Sequence, residues 1–403
     1  MTEMFTGSFT QQEPIPDEGI AAALEVMRHG RLHRYNLAPG EVPEVSKLER
    51  EFADYVEARY CLAVASGGYA MGTALRALGV GPGDSVLSNA FTLAPVPGAI
   101  ASVGATPVFV GVTEALTIDL NDLAAKIEAT GAKTLLLSHM RGHVCDMDAL
   151  MALCDSAGVR VVEDCAHTMG ARWRDVPSGR HGVVGCYSMQ TYKHMNAGEG
   201  GFLVTDDAEI AARSILLSGS YMLYDRHGAA PEPAVFEGLK YDTPNISGRM
   251  DNLRAAILRP QLAWLDDQCA AWTVRYRAVE AGLRDVPGLT LTERPEVEAF
   301  VGSSFQFLLL DWPDAAIETV VAGCKARGVE LKWFGAPEPA AFTSTYGHWR
   351  YAAPQPMPAS DRVLRGVLDM RLPLTFSPED CSLIARIVAD EVIQAAPART
   401  AAE

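Results

Sequence analysis

The stretch CLAVASGGYAMGTALRALGVGPGDSVLSN, residues 61–89, combines an apolar β-rich run, a glycine turn, a helical pattern and a second β-rich run. The runs CLAVA (61–65) and SVLSN (85–89) are typical of buried strands, and the residues from Ala70 to Leu78 have helical spacing. Because a helix between two strands of one sheet joins them in parallel, this stretch predicts an α/β fold.

The same alternation continues as far as residue 205. Five more runs of strand character follow, in the order TPVFVGV (106–112), TLLLS (134–138), VRVVE (159–163), VGCYS (184–188) and GFLVT (201–205). Near-continuous apolar strands separated by helical segments, such as the one from Asp146 to Ala157, indicate a mostly parallel sheet covered by helices on both faces.

The pattern changes in the second half of the chain. Residues 207–285 are helical in character, and Pro260 predicts a kink or a local break there. A smaller α+β unit is indicated by two strand-like and two helical segments, namely 301–310, 329–334, 315–327 and the stretch from Pro378 onward. We therefore expect a large domain over residues 1–265, including the N-terminal segment, and a small C-terminal domain over residues 266–403.

Composition excludes several classes of protein. The 403 residues are 48% hydrophobic, enough for a substantial core, and a net charge of −16 disfavours nucleic-acid or membrane-surface partners. There is neither an apolar run long enough to span a bilayer nor a signal-like N-terminus, so we expect a cytoplasmic protein. The eight cysteines form no CxxC pair, and we predict reduced thiols and no metal site.

One lysine stands in an informative position. In GCYSMQTYKHMNAGEGGFLVTDD, residues 185–207, Lys193 lies between a strand and a glycine-rich loop. A desolvated lysine with a lowered pKa supplies the neutral amine that Schiff-base formation needs. The alternative for the glycines at 198, 200 and 201 is an ordinary hairpin turn.

A second candidate lies at the end of a strand. In VRVVEDCAHTMGA, residues 159–171, Asp164 ends the apolar run and His167 follows three residues later. Ligands of open α/β sheets bind beyond the carboxyl ends of the strands, where an aspartate could pair with the pyridine nitrogen of pyridoxal phosphate (PLP). The alternatives are a helix N-cap for Asp164 and a hydrogen-bonded histidine at the sheet edge for His167.

A third candidate is an anion site. Ser66, Gly67 and Gly68 stand between a strand and a helix, where backbone N–H groups are free to bind phosphate. Ser188, five residues before Lys193, offers a hydroxyl to the same group. The later GVGPGD (79–84) follows a helix and precedes a strand, which is the wrong order for a dinucleotide fingerprint, and we interpret it as a turn.

Taken in order, these motifs closely resemble the DegT/StrS group of PLP-dependent sugar aminotransferases. The resemblance covers most of the chain, with further matches in YNLAPGEVPEVSKLEREFADYV (35–56), RMDNLRAAI (249–257) and RLPL (371–374). It implies the type I aspartate aminotransferase fold. It also implies a homodimer with shared active sites, in which residues around 218–250 reach the neighbouring subunit's site.

The resemblance also implies residue roles. Lys193 would carry the Schiff base and transfer protons, and Asp164 would pair with the pyridine nitrogen. The expected cofactor-binding set is Gly67, Gly68, Phe91, Leu93, Asp164, His167, Ser188, Gln190, Lys193 and Asn245. Within it, Ser188 and the Gly67–Gly68 backbone bind the phosphate, and His167 lies near the cofactor oxygen.

This sequence departs from the family pattern at several positions. Gly68 replaces a common threonine, and the ring-stacking aromatic residue aligns with Leu93, with Phe91 two residues earlier. Ser247 replaces an interface asparagine that contacts the partner's phosphate, and we assign that role to Asn245 nearby.

The segment KWFGAPEPAAF (332–342) also departs from the family, and it leaves the substrate class open. Keto-sugars are typical acceptors, but Arg141, Lys332 and Arg350 would also suit a smaller or carboxylated carbonyl compound, unless they are solvated surface cations.

The predicted function is amino transfer from glutamate or glutamine to a keto-sugar or a related cyclic or small carbonyl acceptor. One alternative is a sugar dehydratase of the same fold, in which a histidine replaces the lysine; here His194 is adjacent, but Lys193 is present. The other alternative is a regulatory protein that binds PLP or a sugar without catalysis.

Overall fold

The computed structural model describes residues 3–397. The helices are α1 (Asp17–His29), α2 (Glu44–Tyr55), α3 (Gly67–Ala77), α4 (Pro95–Ser102), α5 (Leu120–Thr130), α6 (Met147–Ala157), α7 (Ala208–Leu217), α8 (Pro233–Glu237), α9 (Asn252–Ala263), α10 (Leu265–Leu283), α11 (Asp314–Ala326), α12 (Pro358–Arg365) and α13 (Pro378–Ala395). The strands are β1 (Tyr60–Val64), β2 (Ser85–Asn89), β3 (Thr106–Val110), β4 (Thr134–Ser138), β5 (Arg160–Asp164), β6 (Arg172–Trp173), β7 (Val176–Pro177), β8 (Val184–Ser188), β9 (Gly201–Thr205), β10 (Thr290–Leu291), β11 (Glu298–Ala299), β12 (Ser304–Leu308), β13 (Lys332–Trp333) and β14 (Val367–Arg371).

A seven-stranded sheet forms the centre of the fold, in the order β1-β9-β8-β5-β4-β2-β3. Helices connect β1 to β2, β2 to β3, β3 to β4 and β4 to β5, and all strands except β9 run in the same direction. The predicted α/β architecture with a mostly parallel sheet is therefore confirmed.

Strand β9 is antiparallel to both its neighbours, β1 and β8. Among the described residues, the connection 189–200 contains no helix, and its Gly198 has a φ of 77°. Without a crossover helix the chain turns back, and β9 pairs directly with β8. The glycine loop therefore connects the two strands of a hairpin.

A second, antiparallel sheet in the order β10-β12-β14-β13 packs with α10, α11 and α13. This arrangement matches the α+β pattern expected of the C-terminal part. Phe5 and Phe9 of the N-terminal segment are buried in the same cluster as Phe305 and Phe376, so the first residues of the described chain pack on the C-terminal unit. The boundary at residue 265 stays a prediction.

The helical stretch after residue 250 is broken shortly after Pro260. Pro260 lies within α9, that helix ends at Ala263, and α10 begins at Leu265 after Trp264. The predicted local break is therefore present, but it lies after the proline, whereas a proline disturbs the turn that precedes it.

A buried charged network fixes β1, which leads into α3. Arg34 donates two hydrogen bonds to Glu49, at 2.7 and 2.8 Å, and both side chains are almost fully buried. Glu49 also accepts a hydrogen bond from the backbone N–H of Ala63 in β1, at 2.9 Å. His227 packs against the same pair and lowers the pKa of Glu49 together with Arg34, although burial itself opposes this shift.

No helix within residues 3–397 is both long enough and apolar enough to cross a membrane.

Candidate active site

A cavity of about 590 Å³ opens beyond the carboxyl ends of the central strands. Ser138, Asp164 and Ser188 line it, and they are the last residues of β4, β5 and β8. Most of the sequence-predicted site residues meet here, namely Gly67, Gly68, Leu93, Asp164, His167, Ser188, Gln190 and Lys193. Its volume is in the range of ordinary small-ligand sites.

Lys193 lies in the loop after β8, where its backbone N–H donates to the carbonyl of Gln190 at 2.8 Å. Its Nζ is 2.7 Å from Nε2 of His167. Burial, together with the nearby charge of Arg141, lowers the pKa of Lys193 from 10.5 to about 7, although Asp164 opposes this shift. The amine is thus poised to lose its proton near neutral pH.

His167 is buried, with 8% of its surface exposed. Burial holds its pKa well below the ordinary value, and the charge of Lys193 acts in the same direction. The imidazole is therefore neutral at physiological pH, so it can accept a hydrogen bond from Lys193 through Nε2.

Asp164 is held by two hydrogen bonds. The hydroxyl of Ser138 donates to Oδ2 at 2.8 Å, and the backbone N–H of Ala166 donates to Oδ1 at 3.1 Å. In this part of the described chain β5 is followed by turns, and no helix begins at Asp164. The N-cap interpretation is therefore wrong, and the carboxylate faces the cavity.

The turn before α3 forms a cradle for an anion. Ser66 caps α3, accepting a hydrogen bond from the N–H of Tyr69 at 3.1 Å, and the N–H groups at the first positions of the helix belong to Gly67 and Gly68. A Cβ on Gly67 would lie 3.0 Å from the Cβ of Ser188, so this position requires glycine for close approach to β8. A Cβ on Gly68 would make only ordinary contacts, the nearest at 3.7 Å from Pro95.

Two predicted residues lie outside this cavity. Phe91 is 1% exposed and packs edge-on against Phe334, with ring centroids 5.2 Å apart, whereas Leu93 lines the cavity. Asn245 is exposed on the loop before α9. Its expected role concerns a second subunit and stays a prediction.

The cavity also contains residues that were not assigned to it from the sequence. Phe9, Thr10, Ser138, Glu199 and Arg371 line it. Ser138 ends the predicted strand TLLLS, so its place at the carboxyl edge could have been inferred. Phe9 and Arg371 arrive through tertiary packing that no local pattern indicates. Of the three candidate substrate cations, Arg141 and Lys332 line the cavity, but Arg350 is an exposed residue elsewhere.

The fold and this site define a PLP-dependent enzyme of the aspartate aminotransferase type. In a solved structure with this architecture, DesV from S. venezuelae, the matched chain is 29% identical; the TM-score is 0.77, and the match covers 94% of this chain and 95% of that one. The model of the DegT/DnrJ/EryC1/StrS aminotransferase family matches residues 16–389. The chain belongs to this family, and it is a PLP-dependent aminotransferase.

Curated relatives agree with this family and differ in their substrates. The erythromycin biosynthesis sensory transduction protein EryC1 of Saccharopolyspora erythraea is 35% identical over 66% of this chain and 69% of its own. The dTDP-3-amino-3,4,6-trideoxy-alpha-D-glucose transaminase of Streptomyces venezuelae is 35% identical over 69% of each chain. The L-glutamine:2-deoxy-scyllo-inosose aminotransferase of Streptoalloteichus tenebrarius is 34% identical over 72% of each chain.

The residues present fit PLP. The α3 cradle and Ser188 suit its phosphate, Asp164 offers a carboxylate to a pyridinium, and Lys193 offers an amine. These groups all line one cavity, as a small aromatic ligand with functional groups at its edges requires.

The lowered pKa of Lys193 predicts the pH dependence of cofactor capture. Because only the neutral amine reacts with an aldehyde, the rate at which the apoenzyme develops visible PLP absorbance should rise with pH through about 7. In Arg141→Met, which lacks one of the cations that lower this pKa, the midpoint should move to higher pH. Stopped-flow absorbance at a series of pH values measures it, with Arg350→Met as the control; equal midpoints in all three proteins would contradict this electrostatic account.

Proposed function

We propose that Lys193 holds PLP as a Schiff base and that the enzyme moves an amino group from glutamate or glutamine to a keto-sugar or a related cyclic or small carbonyl acceptor. The observation that carries the proposal is the contact between Lys193 Nζ and the neutral His167, in a cavity that also presents Asp164. It combines a reactive amine, a hydrogen-bond partner and a counterion for the cofactor ring.

The cofactor, when bound, supplies an electron sink for negative charge at the substrate carbon. In our proposal Asp164 holds a proton at the pyridine nitrogen, an attraction of about 4 kcal/mol at roughly 4 Å and an effective dielectric near 20. The hydroxyl of Ser138 orients that carboxylate. Ser188 and the N–H groups of Gly67 and Gly68 bind the phosphate.

Lys193 is proposed to move the proton. A group whose pKa is close to the working pH is the most effective general acid and base, and burial brings the Lys193 pKa to about 7. His167 would hold Nζ in place through its Nε2 and offer a contact to the cofactor oxygen. Leu93 is proposed to pack against the face of the ring, an apolar contact in place of aromatic stacking.

Two relatives support the proposed donor and acceptor classes. The Streptoalloteichus enzyme is named for L-glutamine and a cyclic ketone, and the Streptomyces enzyme is named for a nucleotide-linked amino sugar. Glutamine as donor, and a cyclic ketone or a sugar as the partner in the reaction, agree with the classes that we propose.

The dehydratase alternative is less well supported by the geometry. His194 is buried, with its Nε2 3.0 Å from Ser303 Oγ and its ring 5.0 Å from that of Trp272, outside the residues that line the cavity. Lys193, in contrast, lines it. A sensory or regulatory role is named for two relatives, but the assembled lysine, aspartate and phosphate cradle support amino transfer.

Replacement of Lys193 tests the proposal. In wild-type holoenzyme, L-glutamine or L-glutamate should remove the visible cofactor absorbance as the amine form accumulates. Lys193→Ala should show neither the starting absorbance nor turnover, whereas Lys133→Ala, on the protein surface, should behave as wild type. Turnover at the wild-type rate in Lys193→Ala would contradict the assignment of Lys193. If neither glutamine nor glutamate changed the spectrum of the wild-type holoenzyme, both would be excluded as amino donors.

We also propose a homodimer. The α1 residues Ile20, Leu24 and Met27 form an apolar stripe on one side of the helix, with 46%, 43% and 52% of their surfaces exposed. Tyr221 and Tyr241, in the segment expected to reach a second subunit, are also exposed. Neighbouring exposed apolar residues are typical of a protein–protein interface, and we propose that a second copy of the chain covers them. Asn245 would then contact the partner's cofactor phosphate.

A charge in the α1 stripe should separate the subunits. Leu24→Glu should shift the molar mass from twice that of the chain to that of a single chain, measured by light scattering after size exclusion. Val274→Glu is the control, since Val274 is an exposed apolar residue on α10, away from the stripe. A monomeric wild type, or a Leu24→Glu variant that remains fully dimeric at low micromolar concentration, would contradict this arrangement.

A further inference from the structure

Three cations line one region of the cavity and are supplied by different parts of the chain. Arg141 lies in the turn after β4, Lys332 begins β13 and Arg371 ends β14. We call these three residues the cation cluster.

Arg141 is rigidly held. Its backbone has a φ of 55°, in the left-handed region that non-glycine residues rarely adopt, and its side chain is 7% exposed. Its Nη2 lies 2.8 Å from Oδ2 of Asp369. Within residues 3–397 the Nε of Arg141 has no hydrogen-bond partner, so the guanidinium retains unused donor capacity.

The counterion of Arg141, Asp369, is held in place by further hydrogen bonds. Asp369 is fully buried and accepts a hydrogen bond from Gln306 Nε2 at 2.7 Å. Gln306 in turn contacts Nε2 of His143 at 2.9 Å, and burial holds the pKa of that histidine well below its ordinary value. This chain of contacts keeps Asp369 in place. Asp369 also lies opposite Lys332 in the pairing of β13 with β14, so its one negative charge is shared among Arg141, Lys332 and Arg371.

Lys332 and Arg371 have no carboxylate within ion-pair distance in the described part of the chain. Arg371 donates to the carbonyl of Phe9 at 3.1 Å, and its Cζ lies 4.0 Å from the centre of the Tyr192 ring. Glu330 also lines the cavity, but it is exposed to solvent. The cluster therefore has a surplus of positive charge facing the cavity.

This surplus lies in the same cavity as Nζ of Lys193. Tyr192, on which Arg371 stacks, precedes Lys193 directly, and all three cations act to lower the pKa of Lys193. The α3 cradle offers a separate place for the cofactor phosphate. A nucleotide phosphate would be separated from the reacting carbon of a sugar by the sugar ring, whereas an amino-acid carboxylate is one bond from that carbon.

We propose that Arg141, Lys332 and Arg371 form a subsite for a substrate carboxylate next to the carbon that exchanges the amino group. This inference rests on the proposed function, because it presumes an amino donor and a carbonyl acceptor in this cavity. Guanidinium groups bind carboxylates through paired, charge-assisted hydrogen bonds, which suits two arginines and a lysine with free donors. The carboxylate belongs to the donor amino acid, to the acceptor, or to both in turn.

Matched probes separate these two sources. For the donor, calorimetry compares the binding of glutaramate and glutaramide to the PLP holoenzyme; glutaramate is glutamine without its amino group, and glutaramide has an amide in place of the carboxylate. For the acceptor, cyclohexanecarboxylate and cyclohexanecarboxamide are compared on the amine form of the holoenzyme. A carboxylate preference of about tenfold or more is expected in at least one arm, as for hydrogen bonds to charged groups.

Arg371→Gln and Lys332→Gln should each reduce this preference to less than about threefold, with little change in the binding of the neutral probes. Arg350→Gln removes the same charge outside the cavity and should keep the wild-type preference. The bound-cofactor absorbance and circular dichroism of each variant establish that it is folded, and the two cluster variants serve as independent tests.

Loss of preference in the donor arm assigns the carboxylate to the donor, and loss in the acceptor arm assigns it to the acceptor. The proposal is overturned if wild type shows no preference in either arm, if both cluster variants retain it, or if Arg350→Gln loses it equally. Because these titrations involve no turnover, they test the subsite even if glutamate and glutamine prove not to be donors.

Discussion

The parallel pairing of β4, β5 and β8 is the constraint on which the site depends. Its register places Ser138 beside Asp164, and Asp164 beside Cys186, two residues before Ser188. Parallel strands all present their carboxyl ends at one edge, so three segments distant in sequence deliver their polar residues to one cavity. The Ser138 hydroxyl and the backbone N–H of Ala166 then fix the orientation of the Asp164 carboxylate.

The cavity controls protonation through burial and like charge. Lys193 and His167 both lose affinity for protons because they are removed from water, and neighbouring cations strengthen the effect. The same arrangement that brings the pKa of the Lys193 amine to about 7 creates a region of unbalanced positive charge. Substrate anions that enter would neutralise that charge, which links binding to the protonation of Lys193.

Much of the fold was accessible from local sequence. The strands at 85–89, 134–138, 184–188 and 201–205 have the predicted bounds, because each is an apolar run ended by glycine or polar residues. Strand β14 was not predicted, since Asp369 and Arg371 interrupt its apolar character and find their partners only through tertiary contacts. Strand β9 is antiparallel because the described loop before it contains no crossover helix. The glycine-rich sequence of that loop did not predict the direction of the strand.

The site, too, was only partly predictable from local sequence. Lys193, Asp164, Ser188 and the α3 turn could be located because they stand at strand ends or a helix start. Phe91 is aromatic, as expected of a residue that stacks on the cofactor ring, but its side chain packs in the core against Phe334. Leu93, which is smaller, lines the cavity instead. The two residues are only two positions apart in a loop, and local sequence patterns do not show which of them faces the cavity. The contribution of the N-terminal segment also depends on long-range packing.

The proposed function depends on one particular lysine, Lys193, carrying the cofactor. Borohydride reduction of the holoenzyme converts a Schiff base into a stable secondary amine, and peptide mass spectrometry then locates the added phosphopyridoxyl group. We expect that group on the peptide containing Lys193 and on no other lysine. Stoichiometric modification of a different lysine, or recovery of an unmodified Lys193 peptide from holoenzyme with full visible absorbance, would contradict the account.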